Sequence, residues 1–426
     1  MLNVALVFLV LILFILLGFP IFMATIITSV VFIFALDIPF SVVIIKLFGS
    51  IDSFALMAIP FFIFAGNVMM EAKITDRIVS FSNSIVGQFK GGLAHVNIAA
   101  SIFFAGIQGS GAADASAIGS VMIPSMTKQG YDADYAVAVT ASSSMIGPII
   151  PPSIAMIMYS YYTELSVAKL FLGGLLPGII IGLGLMVVNA IYYRIRKYDI
   201  PTPKFSFRNF LHEFKRSIGA LIMPLIIIVG IVAGVFTPTE SGIAAALYGL
   251  VYGFFISKKL TLKKLPKIIM DSAATTAMVM ITIAAAGVLS NVLVRLNFQN
   301  EIINLAVNTF GNPYIASLFL MLVLLILGLF LDPTVLIAMF ATAMLAAGTA
   351  LGFEPIHFGV LMVITMQLGA ITPPVGTFLF ISCSIANISL EKSTKALMPF
   401  FLVEIIVTIS ILFLPWLATG VTNLIF

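Results

Sequence analysis

The sequence predicts an all-α polytopic membrane protein. It should contain two inverted repeats, each with about five spans, one re-entrant hairpin and one broken helix. Three observations carry this. First, 61% of the 426 residues are hydrophobic and only 9% are charged, against about 25% charged in ordinary globular chains. Several apolar runs also reach the roughly 20 residues that cross a bilayer. Second, landmarks recur at one spacing: Gly106 with Gly328, Gly147 with Gly369 and Pro177 with Pro399 all stand 222 residues apart. Third, the proline-rich stretch Gly147-Pro148-Ile149-Ile150-Pro151-Pro152-Ser153 has a twin, Gly369-Ala370-Ile371-Thr372-Pro373-Pro374-Val375. Both stretches interrupt long apolar segments.

Taken in order, residues 1–193 form the first repeat. Spans are expected near 3–18, 22–36, 54–70, 133–162 and 169–193, with the hairpin at 91–127 and the broken helix at 133–162. The run Val4 to Gly18 has no preceding Lys or Arg, so it reads as a retained helix rather than a cleaved signal. Residues 194–217 form a basic linker on the cytoplasmic side. Residues 218–426 form the second repeat, with spans near 218–236, 240–257, 272–290, 355–388 and 396–418. Its hairpin falls at 312–349 and its broken helix at 355–388. Near the repeat starts, Phe19-Pro20 resembles Thr237-Pro238 at a shift of 218, so only small gaps separate the halves. Five crossings is an odd number, so the second repeat is inverted. With the amino terminus outside, only Lys46, Lys169 and Arg295 of the 21 Lys and Arg residues fall outside, as the positive-inside tendency requires. Both termini are then periplasmic. Seven basic residues lie between Arg194 and Arg216 and five between Lys258 and Lys267. Both groups read as topology determinants, with no support for nucleic-acid binding.

Proline lacks an amide hydrogen and clashes with the carbonyl four residues back. Pro148, Pro151 and Pro152 should therefore free the carbonyls of Ser144, Gly147 and Pro148. Pro373 and Pro374 should free those of Gly369 and Ala370. Free carbonyls survive in hydrocarbon only where they are packed in protein or line a cavity. Paired breaks at matching places in two halves point to a transporter's binding site. The hairpins carry similar signals. Gly106-Ile107-Gln108-Gly109-Ser110-Gly111-Ala112-Ala113-Asp114 is too rich in glycine and polar groups for a comfortable span. In the twin, Asp332-Pro333 looks like an N-cap followed by proline at the first helical position. Each hairpin tip should face one broken helix.

Bare carbonyls at half-helix carboxyl ends suit sodium, while half-helix amino ends suit carboxylates. Two symmetry-related Na+ sites are expected. The first takes Gly106, Gly147, Ile150 and Ser153, and the second takes Gly328, Gly369, Thr372 and Val375. An anionic substrate should lie between them, met by Ser110, Gly111, Asp332, Thr334 and Thr377. Glycine and serine at these places also serve simple close packing of helices. Asp114 and Asp332 are acids at membrane depth, where acids are usually functional or paired; each is read as a helix cap or an ion or proton ligand, and Asp114 also as a clasp on a tip loop. The hydroxyls of Thr140-Ala141-Ser142-Ser143-Ser144 have a plain role in bonding back to their own helix, and Gln367 is a candidate substrate or interhelical contact. The three histidines have no partners at metal-ligand spacing. No metal beyond sodium and no organic cofactor is expected. The single Cys383 excludes an internal disulfide.

The stretch GSGAADASAIGSVMIPSM at Gly109–Met126, with the GPIIPPS and GAITPPVG breaks, resembles the large membrane subunit of the TRAP (tripartite ATP-independent periplasmic) transporters, DctM type. The resemblance runs over essentially the whole chain. It implies an elevator-type transporter, in which a mobile domain carrying both hairpins and both broken helices slides against a scaffold. It implies sodium-driven import of an organic acid, such as a C4-dicarboxylate, sialic acid or a related carboxylate, across the bacterial inner membrane. It also implies two partners, a small four-helix membrane subunit and a periplasmic substrate-binding protein. Neither is found in this chain, which therefore reads as the unfused form.

A stand-alone ion- or proton-coupled anion exchanger of similar architecture is the alternative reading. It would place coupling on Asp114 or Asp332. An intramembrane hydrolase built on Ser110 fails because position 108 is Gln108 rather than glycine and no histidine is placed to act as base. A passive channel does not explain paired breaks with hairpins. No Gly-x-x-x-x-Gly-Lys-[Ser/Thr] loop supports ATP-driven transport.

Overall fold

Hydropathy and proline placement account for most of the architecture. The computed structural model describes residues 2–198 and 200–426. Among these it contains twenty α-helices and no strand. The first half holds α1 (Leu2–Leu16), α2 (Ile21–Ala35), α3 (Ser41–Gly49), α4 (Ala58–Glu71), α5 (Ile74–Val86), α6 (Gly92–Gln108), α7 (Gly111–Lys128), α8 (Ala133–Ser144), α9 (Ile154–Thr163) and α10 (Val167–Ile195). The second half holds α11 (Phe207–Val232), α12 (Pro238–Val251), α13 (Leu265–Arg295), α14 (Phe298–Phe310), α15 (Pro313–Gly328), α16 (Pro333–Ala350), α17 (Pro355–Gly369), α18 (Thr377–Ala386), α19 (Leu390–Phe413) and α20 (Trp416–Ile425). A π-helical turn at Tyr252–Ile256 extends α12.

Six helices are long and apolar enough to cross a membrane: α10, α11, α12 with its π turn, α13, α16 and α19. The bent pair α4–α5, turned by 73°, makes a seventh if counted as one span. Several other apolar helices are about half that length. That is what interrupted segments give: α8 stops at Ser144 and α9 starts at Ile154, while α17 stops at Gly369 and α18 starts at Thr377. The intervening prolines cannot continue the amide ladder. Both Pro151-Pro152 and Pro373-Pro374 are cis.

Four helices lie outside the expected spans. α3, α5, α14 and α20 are short, and α5 and α14 carry polar residues such as Asp76, Arg77, Asn83, Gln299 and Asn300 along one side. The basic segment after α10 is also more ordered than a linker. α11 begins at Phe207, capped by the Ser206 hydroxyl, so Arg208, Lys215 and Arg216 ride on that helix. Arg196 ties this end of the molecule together. It reaches Asp132 at 2.8 Å and Asp134 at 3.0 Å, and it bonds the Tyr192 hydroxyl at 2.9 Å. The start of α8 is thereby fastened to the end of α10.

The two hairpins turn differently. α6 and α7 are joined only by Gly109 and Ser110. Gly109 adopts φ +65°, and a Cβ there would strike the Pro152 carbonyl, so glycine meets both a left-handed backbone and a close approach. α15 and α16 are joined through Leu329–Asp332 without a positive φ. Instead the Asp332 carboxylate accepts the Thr334 amide at 2.9 Å with Pro333 at the first helical position. Such a cap stabilises a helix by about 1 kcal/mol.

Candidate functional site

Each hairpin tip touches one break. Ile154, the first residue of α9, donates its amide to the Gly109 carbonyl at 3.2 Å. Val375 donates to the Leu329 carbonyl at 3.3 Å. Between the two junctions lies a cavity of about 390 Å³. Its lining includes Ser110 and Gly111 from the first tip, Asp332 and Thr334 from the second, and Gln367 from α17. Thr275, Met278 and Thr282, at one-turn steps on α13, form the opposite wall. Both threonine hydroxyls there donate to carbonyls of their own helix, at 2.9 and 2.7 Å.

The charge of this cavity comes from backbone. No Lys, Arg or His lines it. The amino ends of α7, α9 and α16 do, through Gly111, Ile154 and Pro333. Each such end presents the positive end of a macrodipole. Among the described residues α7 and α9 also keep amides without a partner at Gly111, Ala112, Ala113 and Ala155, whereas at α16 Pro333 has no amide and those of Thr334 and Val335 go to Asp332. One carboxylate, Asp332, sits at the rim and spends an oxygen on its cap. Thr377 opens α18 but is absent from the wall, where its neighbour Phe378 stands instead. The Thr377 hydroxyl is buried without a hydrogen-bond partner.

Of the five carbonyls expected to be freed by proline, four find donors. Ser144 accepts from the Gly147 amide at 3.2 Å, and Ala370 accepts from Phe378 at 2.9 Å. Pro148 accepts from the Ser153 hydroxyl. Gly369 accepts both the amide and the hydroxyl of Thr372, at 3.1 and 2.9 Å. The Gly147 carbonyl accepts no hydrogen bond among the described residues, and neither does that of Ile150. Most buried carbonyls are paired, so open acceptors at this break, those of Pro151 and Pro152 among them, can serve a hard cation. Gly106 borders the same break, since a Cβ there would lie 3.8 Å from the Pro151 carbonyl. In the second half Gly328 and Gly369 press backbone on backbone, and a Cβ on Gly369 would sit 2.6 Å from the Gly328 Cα.

The sequence reading did not single out Gly109, Ile154 or the α13 wall. Gly109 was legible from its place beside Ser110. Threonines seven residues apart in an apolar helix give no signal of their own.

An all-helical membrane fold with two interrupted helices around a central cavity defines the class as a membrane transporter. The family model described as "Tripartite ATP-independent periplasmic transporter, DctM component" matches residues 8–417. The chain belongs to this family of TRAP large permeases. It is 38% identical to the sialic acid TRAP transporter permease protein SiaT of Haemophilus influenzae, over 89% of this chain and 61% of that longer protein. It is 34% identical to the C4-dicarboxylate TRAP transporter large permease protein DctM of Pseudomonas aeruginosa, over 89% of this chain and 88% of that one. Among solved structures, the YdaH transporter of Alcanivorax borkumensis superposes with a TM-score of 0.64 at 10% identity, covering 88% of both chains. That likeness speaks for the fold alone.

Proposed function

We propose that this chain is the large permease subunit of a sodium-coupled importer of an organic acid. The observation that carries the reading is the cavity. It is walled by the amino ends of α7 and α9, which keep free amides, holds no basic side chain, and lies beside buried carbonyls without donors. Helix amino ends suit a carboxylate, and open carbonyls suit sodium. A sialic acid or a C4-dicarboxylate, the substrates named for two relatives, both carry that group.

In this mechanism a periplasmic binding protein delivers the acid to the outer face in the bacterial inner membrane. A small four-helix membrane subunit completes the membrane part. Ser110, Gly111 and Thr334 meet the substrate. One sodium ion takes carbonyls near Gly106, Gly147 and Ile150 beside Ser153. A second lies at Gly328, Gly369, Thr372 and Val375. Sodium orders the same breaks whose helix ends shape the acid site, which couples the two bindings. The part holding both hairpins and both breaks then moves as an elevator past α13, and the cargo leaves inward.

The test is uptake of a labelled carboxylate panel into proteoliposomes carrying this chain with its small membrane subunit. Uptake should require both the binding protein and an inward sodium gradient. Uptake by this chain alone, driven by protons or by exchange, would replace the reading with a stand-alone exchanger.

A further inference from the structure

A buried polar cluster lies behind the first tip, off the wall of the substrate cavity. The Asp114 carboxylate stands in the first turn of α7 and is 1% exposed. Its Oδ2 accepts the Ser101 hydroxyl from α6 at 2.8 Å. Its Oδ1 is buried with no hydrogen-bond partner. Capping does not occupy it, because no backbone amide donates to Asp114 among the described residues. The Ser144 hydroxyl of α8 reaches the same carboxylate, but its proton is directed to the Thr140 carbonyl at 2.7 Å. Ser143 and Asn97 complete the cluster, with Ser143 3.0 Å from Ser101 and Asn97 donating to Thr140 at 2.7 Å.

Each hydroxyl has one proton to give. Those of Ser101, Ser144 and Thr140 are spent on Asp114, on the Thr140 carbonyl at 2.7 Å and on the Ala136 carbonyl at 2.8 Å. Asp114 Oδ1 is therefore left among hydroxyl oxygens with no donor turned to it. An isolated carboxylate held without a counter-charge is costly to bury.

No basic group answers it. Among the described residues Asp114 makes no ion pair. The titratable groups on its packing neighbours lie elsewhere. His95 of α6 sits edge-on to Phe89, and Tyr135 of α8 bonds Asn189. Asp134 of α8 pairs with Arg196, and Cys383 of α18 contacts Ser393. On α5, Arg77 bonds Tyr252 and the Arg216 carbonyl, and Asp76 stands beside it in the first turn. Lys128, at the far end of α7, is fourteen residues away, roughly 21 Å along the helix. The cluster is also confined to one repeat. Adding 222 to Asn97, Ser101, Asp114 and Thr140 gives Phe319, Val323, Leu336 and Met362.

We infer that Asp114, with the hydroxyl oxygens of Ser101 and Ser144, is a third site for a monovalent cation, loaded by sodium or by a proton and carried with each substrate molecule. A proton converts the carboxyl group into a donor for a neighbouring hydroxyl oxygen. A sodium ion takes the same oxygens directly. The inference rests on the transport reading proposed above.

The test is the reversal potential of substrate transport in proteoliposomes holding the complete assembly. Wild-type protein should move three cations per substrate, and Asp114→Asn two. In wild type, the pH gradient should shift the reversal potential by one proton's worth if the third cation is a proton. If it is sodium, the sodium gradient alone should account for all three. Ser101→Ala should keep the count at three while raising the required cation concentration roughly tenfold, as loss of a supporting ligand does. A wild-type count of two overturns the inference even if Asp114→Asn fails to fold. So does an Asp114→Asn protein with the wild-type count. A wild-type potential indifferent to sodium would instead overturn the sodium-coupled reading, leaving a proton at Asp114 to be judged by the pH arm.

Discussion

The two breaks share a backbone plan and differ in where they place one hydroxyl. Ile150 and Thr372 occupy equivalent positions, 222 residues apart, and so do Ser153 and Val375. In the first break the hydroxyl comes late. Ser153 bonds the Pro148 carbonyl and leaves that of Gly147 open. In the second it comes a turn earlier, and Thr372 bonds the Gly369 carbonyl directly. The glycines differ accordingly. Gly369 lies against the Gly328 backbone, whereas a Cβ on Gly147 would meet nothing nearer than the Ser110 carbonyl at 3.1 Å. The prolines thus fix where each of the two segments bends and leave its side-chain chemistry free. Among the described residues both breaks keep open carbonyls, those of Gly147 and Ile150 in the first and those of Thr372 and Val375 in the second, and each half buries an acid, Asp114 and Glu404. The glycine pair of the second break is packed more tightly.

The largest effect expected from this difference is on folding. Gly369→Ala forces two backbones apart and should destabilise by about 3 kcal/mol, the upper range for overpacking. Gly147→Ala should cost under about 1 kcal/mol, because its neighbour needs to yield only slightly. Thermal unfolding in detergent compares the two, and equal losses would erase the distinction. Next in size is the loss of uptake in Ser110→Leu. The side chain enters the cavity from the first tip, so transport should be abolished while the unfolding midpoint holds. Normal uptake by that variant removes Ser110 from the substrate wall.

A hydroxyl transfer probes the comparison more finely. Ile150→Thr should donate to the open Gly147 carbonyl, as Thr372 does to Gly369. One net hydrogen bond is about 1 kcal/mol, so sodium activation of uptake should weaken roughly fivefold. An unchanged sodium dependence would mean that this carbonyl is no ligand. The second tip offers a smaller effect. Asp332→Ala removes the α16 cap and should lower stability by about 1 kcal/mol, while Asp332→Asn should retain most of it. The smallest change is expected at the solvent-facing ion pairs. Lys264→Gln, which releases the exposed Glu71 carboxylate, should cost no more than about 0.5 kcal/mol in thermal unfolding, since exposed pairs contribute little.

How far the sequence could be read follows from the same physics. The interruptions were legible because prolines act locally, so α8–α9 and α17–α18 stop and restart at the proline stretches. The Asp332-Pro333 cap was readable for the same reason. Helices α3, α5, α14 and α20 were not, because short or half-polar segments lack the uninterrupted hydropathy of a span. Carbonyl occupancy was hidden too. Proline removes an amide, but the replacement donor depends on which hydroxyl folds back, and Ser153 and Thr372 choose differently. The α13 wall belongs to tertiary packing, since nothing in the spacing of Thr275 and Thr282 says what they face.

The most direct measurement is a pair of high-resolution cryo-electron-microscopy maps of the assembled transporter, one in sodium and one with choline in its place. The account predicts sodium-dependent density against the Gly147 and Ile150 carbonyls and a second such feature beside Gly369 and Thr372. Identical maps at both breaks, under conditions where substrate uptake remains sodium-driven, would contradict it and move the coupling ions away from the proline breaks.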